Sequence, residues 1–168
     1  MACKIYRIVT GSLINQDLHA DNFLKNNVVG IGWYRVGDIS DMTESELGNK
    51  CAIYGLSGPY VKSVLLEFRD KIKVGDIVIA YKSKNNVVAI GRVAGEYFFD
   101  KKYNRDSKWD PKEGLGLPHR RKVVWRRKPS FSRKKLPDDL SSQLKQRGTL
   151  KQIYYPINKF EKEIRKIS

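Results

Sequence analysis

Two β-branched runs, Asp76-Ile-Val-Ile-Ala-Tyr-Lys82 and Val87-Val-Ala-Ile-Gly-Arg-Val93, flank Ser83-Lys-Asn-Asn86, and no other stretch restricts the fold of this chain so tightly. Val, Ile and Tyr suit a pleated backbone, and Asn tolerates the positive φ angles of tight hairpin turns, so this segment predicts an antiparallel hairpin. Similar composition predicts further strands over 5–9, 28–33, 96–99, 119–127 and 150–154.

Helices fill the gaps. Val61, Val64, Leu65, Phe68 and Ile72 recur at helical spacing after Pro59, whose ring suits a first turn, and predict a helix over 59–72. Thr43 with Glu46, and Asn158 with Glu161, set a capping oxygen three residues before a carboxylate and mark two more helix starts. Phe160, Ile164 and Ile167 share one face of the last helix. Residues 100–118 show no periodicity and contain Gly and Pro, so they read as a long loop, and loops of that size often carry function. The result is an α+β chain with a β core.

At 168 residues the chain fits one domain, 1–168, burying about two thirds of its unfolded surface. Cys3, Cys51, His19 and His119 form no short-spaced ligand pair, so no structural zinc is expected. The start MACKIYRIVTG lacks an apolar h-region, and no apolar run approaches the roughly 20 residues that span a bilayer; a cytoplasmic location is expected.

Charge is regional. Residues 1–98 hold 12 Lys/Arg against 10 Asp/Glu, while residues 99–168 hold 21 against 8, so almost all of the net charge of +15 lies in the second part. Nine basic side chains, Arg120, Arg121, Lys122, Arg126, Arg127, Lys128, Arg133, Lys134 and Lys135, surround Trp125 and Phe131 without an intervening acid. Such a mixture suits nucleic acid: cations neutralise phosphates and release counterions, and aromatic faces stack on unpaired bases. An anionic membrane would attract the same charge, but no basic amphipathic helix or lipidation motif accompanies it.

Enzyme chemistry is not legible. The chain has no Gly-x-x-x-x-Gly-Lys-Ser/Thr loop and no Gly-x-Ser-x-Gly elbow, and Gly30-Ile-Gly32 lacks the third glycine of a dinucleotide fingerprint because position 35 is Arg. No cofactor is expected. A metal-dependent nuclease would need clustered carboxylates, yet Asp138-Asp139 and Glu161 with Glu163 sit at expected helix starts, where helix-dipole charge explains them. No metal site and no catalytic residue are therefore assigned, and a small nuclease is the weakest reading.

An ordered set of motifs does carry a resemblance. Tyr6-Arg-Ile-Val-Thr, then Asp21-Asn22-Phe23 at the entry to a short helix, a Gly-x-Gly-Trp strand ending at Trp33, Gly75-Asp-Ile-Val-Ile-Ala with Gly91-Arg-Val, and late Val-Trp-Arg-Arg-x-Pro around Trp125 resemble the EVE and YTH branch of the PUA-like superfamily. Within that branch the chain is most similar to the N-terminal recognition domains of McrB-type modification-dependent restriction systems. The resemblance covers about residues 3–160 and implies a twisted, β-barrel-like sheet flanked by short helices. It further implies a reader that flips a methylated base into an aromatic cage, with Trp33 and Trp125 as two walls, Asn22 on the base's hydrogen-bonding edge and the Tyr34 backbone beside the exocyclic group. Tyr97, Phe98, Tyr103 and Trp109 are candidates for a third wall.

The chemistry is coherent, since a methylated amine is uncharged and packs on aromatic walls while one amide offers both donor and acceptor. Stacking of about 1–3 kcal/mol per base is comparable to the cost of flipping, leaving the basic stretch to supply the remaining affinity through phosphates. The resemblance implies methylated duplex DNA as the ligand, with methylated RNA as the alternative, and between the two only the charge density of the extended basic surface favours a duplex. It also implies that this domain belongs to a longer protein with an AAA+ GTPase hexamer and a partner endonuclease. No membrane partner is expected.

Overall fold

The run Ile-Val-Ile-Ala-Tyr from 77 to 81 is apolar at every position, the pattern of a strand covered on both faces. The computed structural model describes residues 2–10, 16–56, 58–82, 85–103, 117–127 and 130–167, with Arg127 described in its backbone only. Among these residues, seven strands form one mixed sheet: β1 (Ile5–Val9), β2 (Val28–Ile31), β3 (Ile77–Lys82), β4 (Asn86–Phe99), β5 (His119–Arg127), β6 (Phe131–Ser132) and β7 (Leu150–Ile153). Their spatial order is β2-β5-β4-β3-β1-β7, with β6 beside β4; β1 and β3 run parallel and the other pairs antiparallel. The hydrogen-bonded path is open, but it curls until β2 comes close to β1.

Alternation along each strand feeds two cores. Val78 and Ala80 join Tyr6, Ile8, Phe23, Leu65, Phe68 and Trp125 on one side, beneath α1 (Gln16–Asn26), α2 (Glu44–Ile53) and α3 (Pro59–Leu66). Ile77, Ile79 and Tyr81 join Ile5, Ile90, Leu140, Leu144, Phe160 and Ile164 on the other, beneath α4 (Asp138–Lys145) and α5 (Ile157–Lys166). Gly91 leaves room for Trp125 and Val123, because a Cβ there would stand 2.8 Å from Trp125 Cε3 and 2.5 Å from Val123 Cγ1. No helix among the described residues is long and apolar enough to cross a membrane.

The expected hairpin forms as β3 and β4, with Asn85 at φ 79° in its turn, residues 83 and 84 lying outside the described residues. Thr43 caps α2 through a reciprocal capping box with Glu46. Other expectations are corrected. The strands expected over 87–93 and 96–99 are one strand, because an irregularity between Val93 and Tyr97 absorbs the extra residues while β5 continues alongside. The helix over 59–72 stops at Leu66 and continues as a π turn, Glu67–Lys71. At the last helix the N-cap is Pro156 rather than Asn158.

Candidate nucleic-acid interface

The basic stretch divides along β5. His119, Arg120 and Arg121 are 0 %, 2 % and 0 % exposed, whereas beyond them Lys122, Val124 and Arg126 face outward and Val123 and Trp125 face inward. Arg121 donates from Nε to the Phe68 carbonyl at 2.8 Å and from Nη2 to the Arg69 carbonyl, so it serves the backbone of the π turn. It also pairs with Glu96 at 3.5 Å. Arg120 donates from Nε to the Leu117 carbonyl at 2.9 Å and from Nη2 to Asn22 Oδ1 at 2.9 Å, and its guanidinium lies 3.4 Å from the Tyr103 ring centre. Burial lowers the pKa of both arginines. The expectation that Arg120 and Arg121 contact phosphates is therefore corrected: their donors are committed to the protein's own carbonyls, amide and carboxylate.

Arg133 is also committed, to Asn85 Oδ1 at 2.7 Å and Ser141 Oγ at 2.8 Å. Lys134 and Lys135 are exposed, as is Lys122, whose Nζ lies 5.6 Å from the Phe98 ring centre. Lys128 and the Arg127 side chain lie outside the described residues. Among the described residues, the outward cations of this stretch are thus Lys122, Arg126, Lys134 and Lys135.

The two tryptophans occupy different environments. Trp125 is 8 % exposed and donates its indole N–H to the Phe23 carbonyl of α1 at 3.0 Å, a core tryptophan with its polar atom satisfied. Trp33 has left β2. It takes the left-handed conformation, φ 63° and ψ 43°, and starts the 3-10 turn Tyr34–Val36. Half-buried, it meets Tyr60 of α3 edge-on with ring centres 6.2 Å apart. In register, Ile31 lies opposite His119, so Trp33 follows β2 near the start of β5, while Trp125 stands six residues along that strand from His119. The expectation that both indoles wall one cage is corrected at Trp125, which is buried among core residues with its N–H taken by the Phe23 carbonyl.

Asn22 sits mid-way along α1, not at its start, since the helix begins at Gln16. Its Nδ2 donates to Tyr103 Oη at 3.3 Å, completing an Asn22–Arg120–Tyr103 cluster. Asn22 and Trp33 therefore approach the same end of β5, one through Arg120 and the other beside His119. The Tyr34 carbonyl accepts from the Gly37 N–H at 3.0 Å. Of the third-wall candidates, Tyr97 and Phe98 are half-buried, Tyr103 is buried, and Trp109 lies outside the described residues, as does all of 104–116.

Sequence reasoning missed His119 and Tyr60. The His119 ring stacks on Tyr97 and receives an edge from Phe99, with centres 6.0 Å and 5.3 Å away, and Nδ1 lies 2.8 Å from Tyr97 Oη. Burial pulls its pKa down to about 4, opposed by the Trp33 backbone and the Asp38 charge, so the ring is neutral at pH 7. Among the described residues, its Nε2 finds no hydrogen-bond partner of good geometry. Tyr60, 46 % exposed, also anchors the far edge of the sheet by accepting the Thr149 N–H at 2.8 Å. Its only sequence signal was a position off the apolar stripe of α3.

Residues 6–154 match a family described as Domain of unknown function (DUF8426). The chain belongs to this family. A search of curated proteins finds no match for the DUF8426 chain. Among solved structures it is similar to the YTH domain of the Zygosaccharomyces rouxii MRB1 protein, determined in complex with N6-methyladenosine RNA, at 12 % identity and a TM-score of 0.49, covering 98 % of this chain and 86 % of that one. It is also similar to the Pho92 YTH domain in complex with m6A, at 14 % identity and a TM-score of 0.49, covering 96 % and 85 %. A hypothetical protein from Leishmania major matches at 12 % identity and a TM-score of 0.46, covering 98 % and 94 %.

Proposed function

We propose that this domain binds nucleic acid and holds one modified, flipped-out base where β2 ends and β5 begins, with Trp33 as stacking platform and Asn22 as hydrogen-bonding reader. The backbone of Trp33 carries the reading. A bulky residue at φ 63° stores on the order of 1–3 kcal/mol of strain, and such outliers cluster at ligand-binding positions. Unlike Trp125, this indole is not sealed in the core. Asn22 retains one N–H and one lone pair beyond those used by Tyr103 and Arg120, the donor and acceptor that a base edge requires.

With Arg120 and Arg121 withdrawn into the protein, the charge-density argument for a duplex weakens. Single-stranded RNA already presents its bases for stacking and needs fewer phosphate contacts, so RNA carrying a methylated base is the ligand we favour. Methylated duplex DNA, with an AAA+ GTPase and an endonuclease as partners, is supported by the sequence resemblance alone.

A binding panel tests this: matched RNA, single-stranded DNA and duplex DNA, each with and without N6-methyladenine or 5-methylcytosine, at one salt concentration. Methylated RNA should bind most tightly, and Trp33→Ala should remove about 1–3 kcal/mol of the preference for the modified base while weak, unselective binding persists. An unaltered preference in the folded variant would overturn the assignment of Trp33.

A further inference from the structure

Trp33 is half-buried and Tyr60 exposed, and their rings stand at 75° to each other with centres 6.2 Å apart. A base lying flat on one ring is almost upright against the other, so one base cannot stack on both. The rings are nevertheless close enough to serve two successive nucleotides of one strand.

Tyr60 is held at both ends. Its backbone belongs to the first turn of α3, which Pro59 opens after Gly58 as N-cap, and its Oη accepts the Thr149 N–H at 2.8 Å. Gly148 makes this reach possible: its φ of 114° suits glycine, and a Cβ there would stand 3.1 Å from Tyr60 Oη and 3.3 Å from Lys151 Cε. Buried Arg7 fixes the same glycine by donating from Nη2 to its carbonyl at 2.5 Å. An aromatic ring that is exposed yet already ordered is a preorganised platform, because little side-chain entropy is left to lose when a ligand arrives. The segment that holds it is basic, with Lys145, Arg147 and Lys151 and no acid over 145–151.

From these observations we propose that Tyr60 is the stacking platform for a second nucleotide, the immediate neighbour of the base on Trp33, and that Lys151 meets the phosphate of that neighbour. The proposal rests on Trp33 holding the first base, and it makes the site two nucleotides wide, with a second half indifferent to modification. Bases paired in a duplex lie parallel to their neighbours, whereas a single strand can turn sharply between them, so rings at 75° also favour a single strand.

The test measures affinities of the whole chain for four probes at one salt concentration. These are a three-residue oligoadenylate RNA with a central N6-methyladenine, the same strand with its 5′ or its 3′ neighbour made abasic, and N6-methyladenosine 5′-monophosphate. Tyr60→Leu should weaken the intact strand about tenfold, while Tyr60→Phe, which keeps the ring, should stay close to the parent. Both variants lose the same hydrogen bond to Thr149, so a difference between them reports the ring and not the fold. One of the two abasic strands, and the monophosphate, should bind Tyr60→Leu and the parent alike. Lys151→Gln should flatten the log–log salt dependence of the intact strand by about 0.7. The proposal is overturned if Tyr60→Leu binds the intact strand as the parent does, or if Tyr60→Phe is as weak as Tyr60→Leu. It is equally overturned if the monophosphate suffers the same loss, which would make Tyr60 a wall around the base on Trp33. An unchanged salt slope would remove Lys151 from the site. Trp33→Ala separates the two readings: an intact preference for the methylated strand, with Tyr60→Leu still weakening the unmethylated one, places the failure at Trp33, whereas a lost preference with no effect of Tyr60→Leu places it here.

Discussion

At its start β5 buries His119, Arg120 and Arg121 almost completely, while five residues further on the Arg126 side chain is 58 % exposed. Both ends are equally basic in sequence. The difference is what lies above them: the early arginines meet backbone carbonyls at Phe68, Arg69 and Leu117, and Arg126 meets water and a single carboxylate. A guanidinium carries five donors in a planar fork, so it can enter a core wherever several carbonyls need partners. Charge in a sequence therefore marks a binding surface only after the protein's own acceptors have taken their share.

The largest expected effect breaks the buried end. Arg121→Ala leaves the Phe68 and Arg69 carbonyls without their donor and opens a cavity in the core, and should cost about 3–5 kcal/mol in denaturant unfolding. A loss below 1 kcal/mol would mean that the two ends of β5 do not differ as described. Acid gives the next effect. The folded pKa of His119 is about 4 against an ordinary 6.5, so the unfolded chain binds the proton first. Stability from this group is complete above pH 6.5 and should fall by roughly 1.4 kcal/mol per unit down to about pH 4, then level off. In His119→Gln that segment of the stability–pH profile should flatten.

The exposed end should respond in binding instead. Lys122→Ala with Arg126→Ala should alter stability by no more than about 0.5 kcal/mol per site, since both side chains are exposed. Nucleic-acid affinity should fall alike for modified and unmodified strands, and the log–log salt dependence should flatten by about 0.7 per lost contact on a single strand. An unchanged salt slope would place the phosphates on Lys134 and Lys135.

What the sequence revealed was local. The hairpin needs only β-branched runs and an Asn that accepts a positive φ, and the Thr43–Glu46 box needs four consecutive residues, so both were readable. Arg121 was not, because its acceptors lie about fifty residues away and arise only when the helix through Phe68 widens into a π turn. Asn22 was misplaced because α1 starts at Gln16, before the helix entry expected at 21–23. The burial of Trp125 against α1 needed the packing of strand on helix, which no motif spacing contains. For the site, residue types were legible; which of them share a neighbourhood was not.

One guanidinium has a consequence for how this domain can diversify. Arg120 grips the Tyr103 ring and the Leu117 carbonyl together, and the Asp100 N–H donates to the Pro118 carbonyl at 2.8 Å just outside them. Tyr103 and Leu117, which flank the thirteen positions 104–116, are thus riveted to one point of the scaffold. Because closure entropy rises by only about 0.6 kcal/mol for each doubling of length, inserts of very different size and composition could be spliced between these roots at little thermodynamic penalty. The framework would act as a socket, and a library of grafts there would vary recognition while the sheet beneath kept its melting point.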